Sequence, residues 1–364
     1  MPYLEQVADM NNLLYGVKRI QKASGWKTST QNFSINKLRN CVKLNKEIKN
    51  GTYRQSKGYS FILNEYGRKR KIKALNCADM VVQHSLCDFV LVPTLRRYLI
   101  YDNGASLKGK GLSFTRSRFE THLHKFYRKH GLNGYILFID FRKFFDNIQH
   151  EKILQMYSKI FKEKEFIKFI ENILSAYEID TDGKLDDIYN ALDNKGKQNH
   201  LRKSIGIGAP LSQITGIFFA HKIDNYCKTV KRLKYYGAYA DDRYIIHTDK
   251  EVLHNILYNI KLIAQELGIH IHENKTQIIK LTRTFTFLQI RYIITKTGKI
   301  IKKLSKNSIK RQRKKMPKLV FKINKDEYID WYRSWRGDKI SYNAYYTIYD
   351  FDRRFWLYGN IYKQ

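Results

Sequence analysis

Tyr239-Ala240-Asp241-Asp242 sets an acidic pair between two apolar runs, Leu233 to Tyr239 and Tyr244 to Thr248. Both runs are rich in aromatic and β-branched residues, which favour strands, and the short polar segment between them favours a turn. The stretch therefore predicts a β-hairpin with carboxylates at its tip. Adjacent carboxylates repel. A divalent cation removes that repulsion, and Mg²⁺ characteristically takes one or two protein carboxylates together with substrate phosphates. Upstream, Tyr135-Ile136-Leu137-Phe138-Ile139-Asp140 reads as a buried strand ending in a further carboxylate, placed to share the same ions. Such a donor set suits phosphoryl chemistry at paired metals. Taken alone, Asp241 and Asp242 are equally consistent with a solvated turn, because Asp is a favoured turn residue.

Order along the chain decides between these readings. Asp140-Phe141-Arg142-Lys143-Phe144-Phe145-Asp146-Asn147-Ile148 is followed by Ile207-Gly208-Ala209-Pro210-Leu211-Ser212-Gln213 and then by the Tyr-Ala-Asp-Asp hairpin. Leu267-Gly268 with Asn274-Lys275-Thr276 comes next, and finally Phe287-Leu288. In this order the segments resemble the successive palm motifs of reverse transcriptases, over residues 68 to 292, and among these the bacterial enzymes related to those of group II introns and diversity-generating retroelements. The Ile-Gly-x-x-x-Ser-Gln form is similar to the diversity-generating branch and to some unclassified bacterial branches. The run from Ile100 to Gly111 and Ser334-Trp335-Arg336-Gly337 resemble unclassified bacterial reverse transcriptases, several of which serve in antiphage defence.

The resemblance implies a right-hand polymerase: an α+β palm with an antiparallel sheet, fingers before and through it, and a helical thumb after it. The expected divisions are 1–134 for N-terminal helices and fingers, 135–292 for the palm, and 293–364 for a basic thumb, with a polar insertion near 180–204. It also implies RNA-directed synthesis of DNA from dNTPs, with Mg²⁺ as a pair of ions and Mn²⁺ as a substitute. Asp140, Asp241 and Asp242 would be the metal carboxylates, joined by the backbone carbonyl of Phe141. Lys275 would protonate the departing pyrophosphate. Phe145 would lie under the sugar and exclude a ribose 2′-hydroxyl; an alternating strand would put Phe144 on the opposite face. Asp146 is expected as a structural cap. Arg68, Arg70 and Lys71, in a run of basic residues, would contact the triphosphate, and Gly208, Ser212 and Gln213 would approach nucleotide and template. Three departures stand out: Gly206 occupies a position where proline is usual, Ile207 one where intron enzymes often carry glutamine, and Gln289 follows Leu288 where glycine is usual.

Composition bounds the partners. The 364 residues carry 68 Lys and Arg against 33 Asp and Glu, a formal net charge of +35. A polyanion is the natural partner for such a chain, since phosphate contacts release counterions and dominate nucleic-acid affinity. The basic residues are interleaved with aromatics rather than gathered beside an amphipathic helix or lipidation signal, so nucleic acid is favoured over a membrane. The expected partners are an RNA template, specifically a noncoding RNA, and a DNA product or RNA/DNA duplex; an accessory protein or a homo-oligomer is compatible with the chain. Cys41, Cys77, Cys87 and Cys227 have no paired C-x-x-C spacing, which argues against structural zinc and for a reducing, cytoplasmic setting.

Further along, Ile35 to Lys49 predicts a helix with Leu38, Val42, Leu44 and Ile48 as its apolar positions, and Ala78 to Leu95 a second, apolar one. Gly104 to Gly111 reads as a loop that permits close backbone approach to phosphate. The aromatic and basic segment from Tyr328 to Tyr362 reads as thumb helices that pack their rings together. Other readings remain open: a diversity-generating enzyme, untemplated or protein-primed synthesis at the same site, and a noncatalytic RNA-binding scaffold.

Overall fold

A computed structural model describes residues 1–65, 68–180 and 200–360. The expected polar insertion near 180–204 falls mostly outside the described residues. In chain order the strands are β1 (Tyr59–Glu65), β2 (Arg68–Ala74), β3 (Tyr135–Ile139), β4 (Phe141–Arg142), β5 (Ile179–Asp180), β6 (His200–Leu201), β7 (Tyr236–Tyr239), β8 (Asp242–His247), β9 (His270–Ile271), β10 (Gln277–Lys280), β11 (Phe285–Phe287), β12 (Ile290–Ile294) and β13 (Ile300–Leu304). One sheet has the order β10-β3-β8-β7, another the order β11-β12-β13, and β1/β2, β4/β9 and β5/β6 form two-stranded pairs. The chain divides into two compact units: residues 1–115, 138–245 and 254–276, and residues 116–137, 246–253 and 277–364.

In the first unit, helices Tyr3–Ala8, Met10–Ser24, Thr28–Ile35 and Lys37–Lys49 open the chain. Asp9 starts the longest of them by accepting hydrogen bonds from the amides of Asn11 and Asn12. The helix expected from Ile35 begins at Lys37, and its buried positions are Cys41, Leu44 and Ile48. Leu38 and Val42 point outward, 60% and 43% exposed, because the i, i+3, i+7 stripe that faces the core passes through Cys41 instead. The apolar segment after Asn76 is helical from Cys77 to Leu95, with a π-helical stretch at Leu86–Leu91. Helix Pro210–Phe219, with proline in its first turn, is buried almost throughout. Gly216 lets it pack closely, since a Cβ there would come within 3.0 Å of the Phe145 ring.

The loop that includes Gly104 is anchored to the sheet at its start. It pairs with β7, the Gly104 amide donating to the Ala238 carbonyl at 2.9 Å and the Ala238 amide to the Asp102 carbonyl at 3.1 Å. Lys110 donates inward to the carbonyls of Tyr101 and Asn103, and Asp102 pairs with Lys228 at 2.8 Å. The glycine at 104 is a packing requirement, for a Cβ would overlap the Thr115 hydroxyl at 1.9 Å. The start of this loop covers the outer edge of the sheet, which disposes of an otherwise unpaired strand edge, while Gly109 further along is exposed at φ 77°.

In the second unit, Phe119, Leu123 and Phe126 are buried on one stripe of the helix that spans Leu112–His130. Phe119 meets Phe285, Phe287 and Tyr292 of the β11-β12-β13 sheet edge-on or tilted. The boundary expected after Tyr292 therefore falls inside β12, a strand tied on both sides by its ladder. Leu288 and Gln289 form the two-residue turn between β11 and β12, both left-handed at φ 44° and 69°. The turn closes without glycine, and Arg116 donates to the Leu288 carbonyl at 2.9 Å. Helices Lys306–Leu319, Lys325–Lys339 and Tyr345–Gly359 follow. They pack around Met316, Val320, Tyr328, Tyr332 and Phe351, and Asn324 and Glu327 form a capping box on the middle one. Among the described residues no helix is long and apolar enough to cross a membrane.

Candidate active site

The acidic hairpin forms as its sequence predicts, with β7 and β8 antiparallel and Tyr239 opposite Asp242. Ala240 and Asp241 are thus the two-residue turn, and Ala240 is left-handed at φ 51°, a conformation that costs an alanine about 1–2 kcal/mol. β3 lies beside β8 and ends at Ile139, so Asp140 enters the same electrostatic neighbourhood. The consequence is visible in the protonation equilibria. Burial, then Asp241, then Asp140 push the Asp242 carboxyl up to about 7. Burial and Asp140 raise the Asp241 carboxyl as well.

Asp140 is held on two sides. Its Oδ2 accepts from Lys275 Nζ at 2.8 Å, and its carbonyl accepts from the His272 amide at 2.8 Å. The second bond makes Asp140 and His272 a hydrogen-bonded pair at the start of the β4/β9 ladder. In an antiparallel ladder the next pair, Phe141 and Ile271, is then non-hydrogen-bonded, so the Phe141 carbonyl points away from β9. The carboxylates of Asp140, Asp241 and Asp242 offer oxygen donors, the ligand type that suits Mg²⁺ or Mn²⁺. As the side chains stand, with Lys275 on Asp140, no group of three His, Cys, Asp or Glu residues among the described residues is arranged as a finished ion site.

Phe144 and Phe145 correct the strand reading. Lys143 turns left-handed at φ 44° and ends the extended run, so both rings belong to the short helix Phe144–Asn147. Phe144 is 3% exposed and packs on Phe141, whereas Phe145 is half-buried against Gly216. Asn147, rather than Asp146, ties this helix down, donating to the Arg142 carbonyl at 3.0 Å.

Arg68 opens β2, and Arg70 and Lys71 are both exposed. Strand alternation separates these last two: Arg70 shares a face with Ile72, the side chain nearest Gly208, while Lys71 shares the other with Lys73, which reaches the Ala176 carbonyl. Gly208 is exposed at φ 105° and Gln213 is the exposed residue of a buried helical turn. Ser212 is 1% exposed and its hydroxyl donates to the Ile205 carbonyl, so its bond shapes the loop. Gly206 explains its departure from proline: φ is 68°, and a Cβ would strike the Tyr177 ring at 2.6 Å.

Sequence reading overlooked Arg243, Asp224 and Tyr236. Arg243 is 1% exposed. Its Nε donates to Asp224 Oδ1 at 3.1 Å and its Nη1 to the carbonyls of Ala240 and Asp241 at 3.1 and 3.2 Å. Its guanidinium lies 5.0 Å from the Phe141 ring centre, and the Tyr236 hydroxyl donates to Asp224 Oδ1 at 2.5 Å. The one signal in the sequence was a charge inside an apolar strand, immediately after the acidic pair.

A family model described as reverse transcriptase (RNA-dependent DNA polymerase) matches residues 84–292. No curated protein matches the chain. Among solved structures, telomerase from Candida albicans in complex with the TWJ fragment of telomeric RNA is similar with a TM-score of 0.51 at 10% identity, over 85% of this chain and 59% of that one. Apo telomerase from Candida tropicalis gives 0.46 at 15% identity, over 68% of this chain and 49% of that one. The chain thus spans 59% of the length of the Candida albicans protein, and that likeness concerns the polymerase fold alone.

Proposed function

Because the chain belongs to the reverse transcriptase (RNA-dependent DNA polymerase) family, we propose that it extends a 3′-hydroxyl with deoxynucleoside triphosphates on an RNA template, at Asp140, Asp241 and Asp242. The observation that carries this reading is a half-buried acidic turn in which burial and the neighbouring Asp140 raise the carboxyls of Asp241 and Asp242, with Asp241 adding to the effect on Asp242. A scaffold gains nothing from holding mutually repelling acids together; a centre for divalent cations does.

Paired Mg²⁺ or Mn²⁺ ions bound there would stabilise the attacking and leaving oxygens. The chain's own residues bind, orient and move the proton. The 3′-hydroxyl gives its proton to solvent, its oxygen attacks the α-phosphorus, the bond to pyrophosphate breaks, and Lys275 gives a proton to the departing oxygen. Its amine is already at the site, 2.8 Å from Asp140. Phe145 sits under the sugar; Gly208, Arg70 and Gln213 face nucleotide and template, with Ser212 holding the loop from within. Lys71 and Arg68 complete the basic strand.

The biological setting we propose is bacterial antiphage defence with a dedicated noncoding RNA, supported by the resemblance of Ile100 to Gly111 and of Ser334 to Gly337 to enzymes of that kind. A variable target gene with template repeats beside the locus would instead assign it to the diversity-generating enzymes.

The test is to purify the protein with its bound nucleic acid, supply labelled dNTPs and Mg²⁺, and sequence RNA and DNA from wild type and Asp241→Ala. DNA copied from a discrete RNA, and absent from the variant, is the expected outcome. RNA bound without synthesis by either protein would replace the enzyme with a scaffold.

A further inference from the structure

The buried Arg243–Asp224 pair has no obvious value for stability. Both side chains are 1% exposed, and Asp224 Oδ2 is buried without a hydrogen-bond partner among the described residues. Taking two charges out of water is costly, and an apolar pair of similar volume often serves a fold as well or better. The geometry supplies another reason for keeping it. A single guanidinium nitrogen bonds the carbonyls of both residues of the acidic turn, Ala240 and Asp241, while Nε is anchored on a carboxylate that Tyr236 holds from the other side. The turn it holds is one that would otherwise relax, since Ala240 is left-handed and the two acids beside it repel. A planar, permanently charged fork stacked near Phe141 is a rigid strut where a lysine would be a flexible one.

We propose that Arg243, oriented by Asp224 and Tyr236, is a positioning residue that fixes the Ala240-Asp241 turn so that Asp241 and Asp242 are presented to a divalent cation before it arrives. This rests on the metal-centre reading above. Arg243 touches neither substrate nor metal in this role; it acts through the two backbone carbonyls. The role carries a sign that electrostatics alone would reverse. Removing a fixed cation beside the carboxylates should tighten cation binding if Arg243 acts only through its charge. It should weaken binding if Arg243 holds the turn.

The experiment is a Mn²⁺ titration of the full chain without nucleotide, read by electron paramagnetic resonance, on wild type, Arg243→Leu, Arg243→Lys and Tyr236→Phe, with Asp241→Ala locating the site. We expect Arg243→Leu to weaken Mn²⁺ binding about 10- to 100-fold, as loss of an outer partner of a metal ligand does, with Arg243→Lys between it and wild type. Tyr236→Phe changes no charge, so a weakening there reports orientation alone. If Arg243→Leu does not fold, Tyr236→Phe alone decides the question. Unchanged or tighter binding in folded Arg243→Leu, or unchanged binding in Tyr236→Phe if Arg243→Leu does not fold, overturns the proposal while leaving the metal centre intact. A wild type that binds no Mn²⁺ at the Asp241 site brings down both readings together.

Discussion

At the scale of single residues, the proposed selection of the sugar rests on Phe145. Its ring is held from behind by helix Pro210–Phe219, where Gly216 leaves room for it and nothing larger, with Cε1 only 3.0 Å from the place a Cβ would occupy. A ring so backed cannot retreat from a 2′-hydroxyl. Phe145→Ala should therefore raise the kcat/KM for ribonucleotides relative to deoxynucleotides by about tenfold or more, since filling or emptying one apolar subsite is worth roughly that much. Competition between dNTPs and rNTPs on one primer measures it, and an unchanged ratio would remove Phe145 from the gate. The acidic residues stood out in the sequence because apolar runs lead into Asp140 and flank the Asp241-Asp242 pair. Arg243 was not, because the partners that explain it, Asp224 and Tyr236, are brought to it only by the fold. Phe144 was readable only as a neighbour: the left-handed Lys143 that turns strand into helix leaves no mark in side-chain pattern.

At the scale of elements, the middle motif is held by pairing rather than by its own turn. Ser204 and Ile205 donate to the carbonyls of Ile148 and Phe145, and the His150 amide donates to the Arg202 carbonyl. His150, 1% exposed, adds a ring nitrogen that donates to the Ser204 carbonyl at 2.6 Å. Burial keeps this imidazole neutral, with its pKa below the ordinary 6.5. Protons therefore bind the unfolded chain more readily than the folded one, and stability present at neutral pH is lost as pH falls below about 6.5. His221, also lowered by burial, contributes in the same direction. The urea midpoint should decline between about pH 7.5 and 5.5, and His150→Gln should flatten that decline; a slope identical to wild type would assign the acid sensitivity elsewhere. Helices with regular apolar spacing were legible at this scale, Cys77 to Leu95 above all. The edge-covering loop was not, since Gly104 reads equally as a phosphate contact or as a packing requirement until Thr115 is seen behind it.

At the scale of the whole molecule, a net charge of +35 is a standing cost to the free protein and a standing attraction to polyanions. One helix shows how the two are coupled. Lys306, Lys310, Lys314 and Lys318 recur every fourth residue along Lys306–Leu319 and are exposed, while Gln312 and Met316 face inward. Like charges four apart on a helix destabilise it by a few tenths of a kcal/mol per pair. The stripe is unfavourable until phosphates lie along it. Replacing Lys310 and Lys314 with Gln should therefore have opposite effects on the two states, raising the thermal midpoint of the free protein slightly and weakening binding to an RNA/DNA duplex. The discriminating quantity is the salt dependence. If both lysines meet phosphates, the slope of log K against log salt should fall by about two, because each neutralised phosphate contributes close to one unit. Fluorescence anisotropy of a labelled duplex across a salt series gives that slope directly. A lower affinity with an unchanged slope would mean that the substitutions disturb the packing of Met316 and its neighbours, and that the polyanion meets the molecule elsewhere.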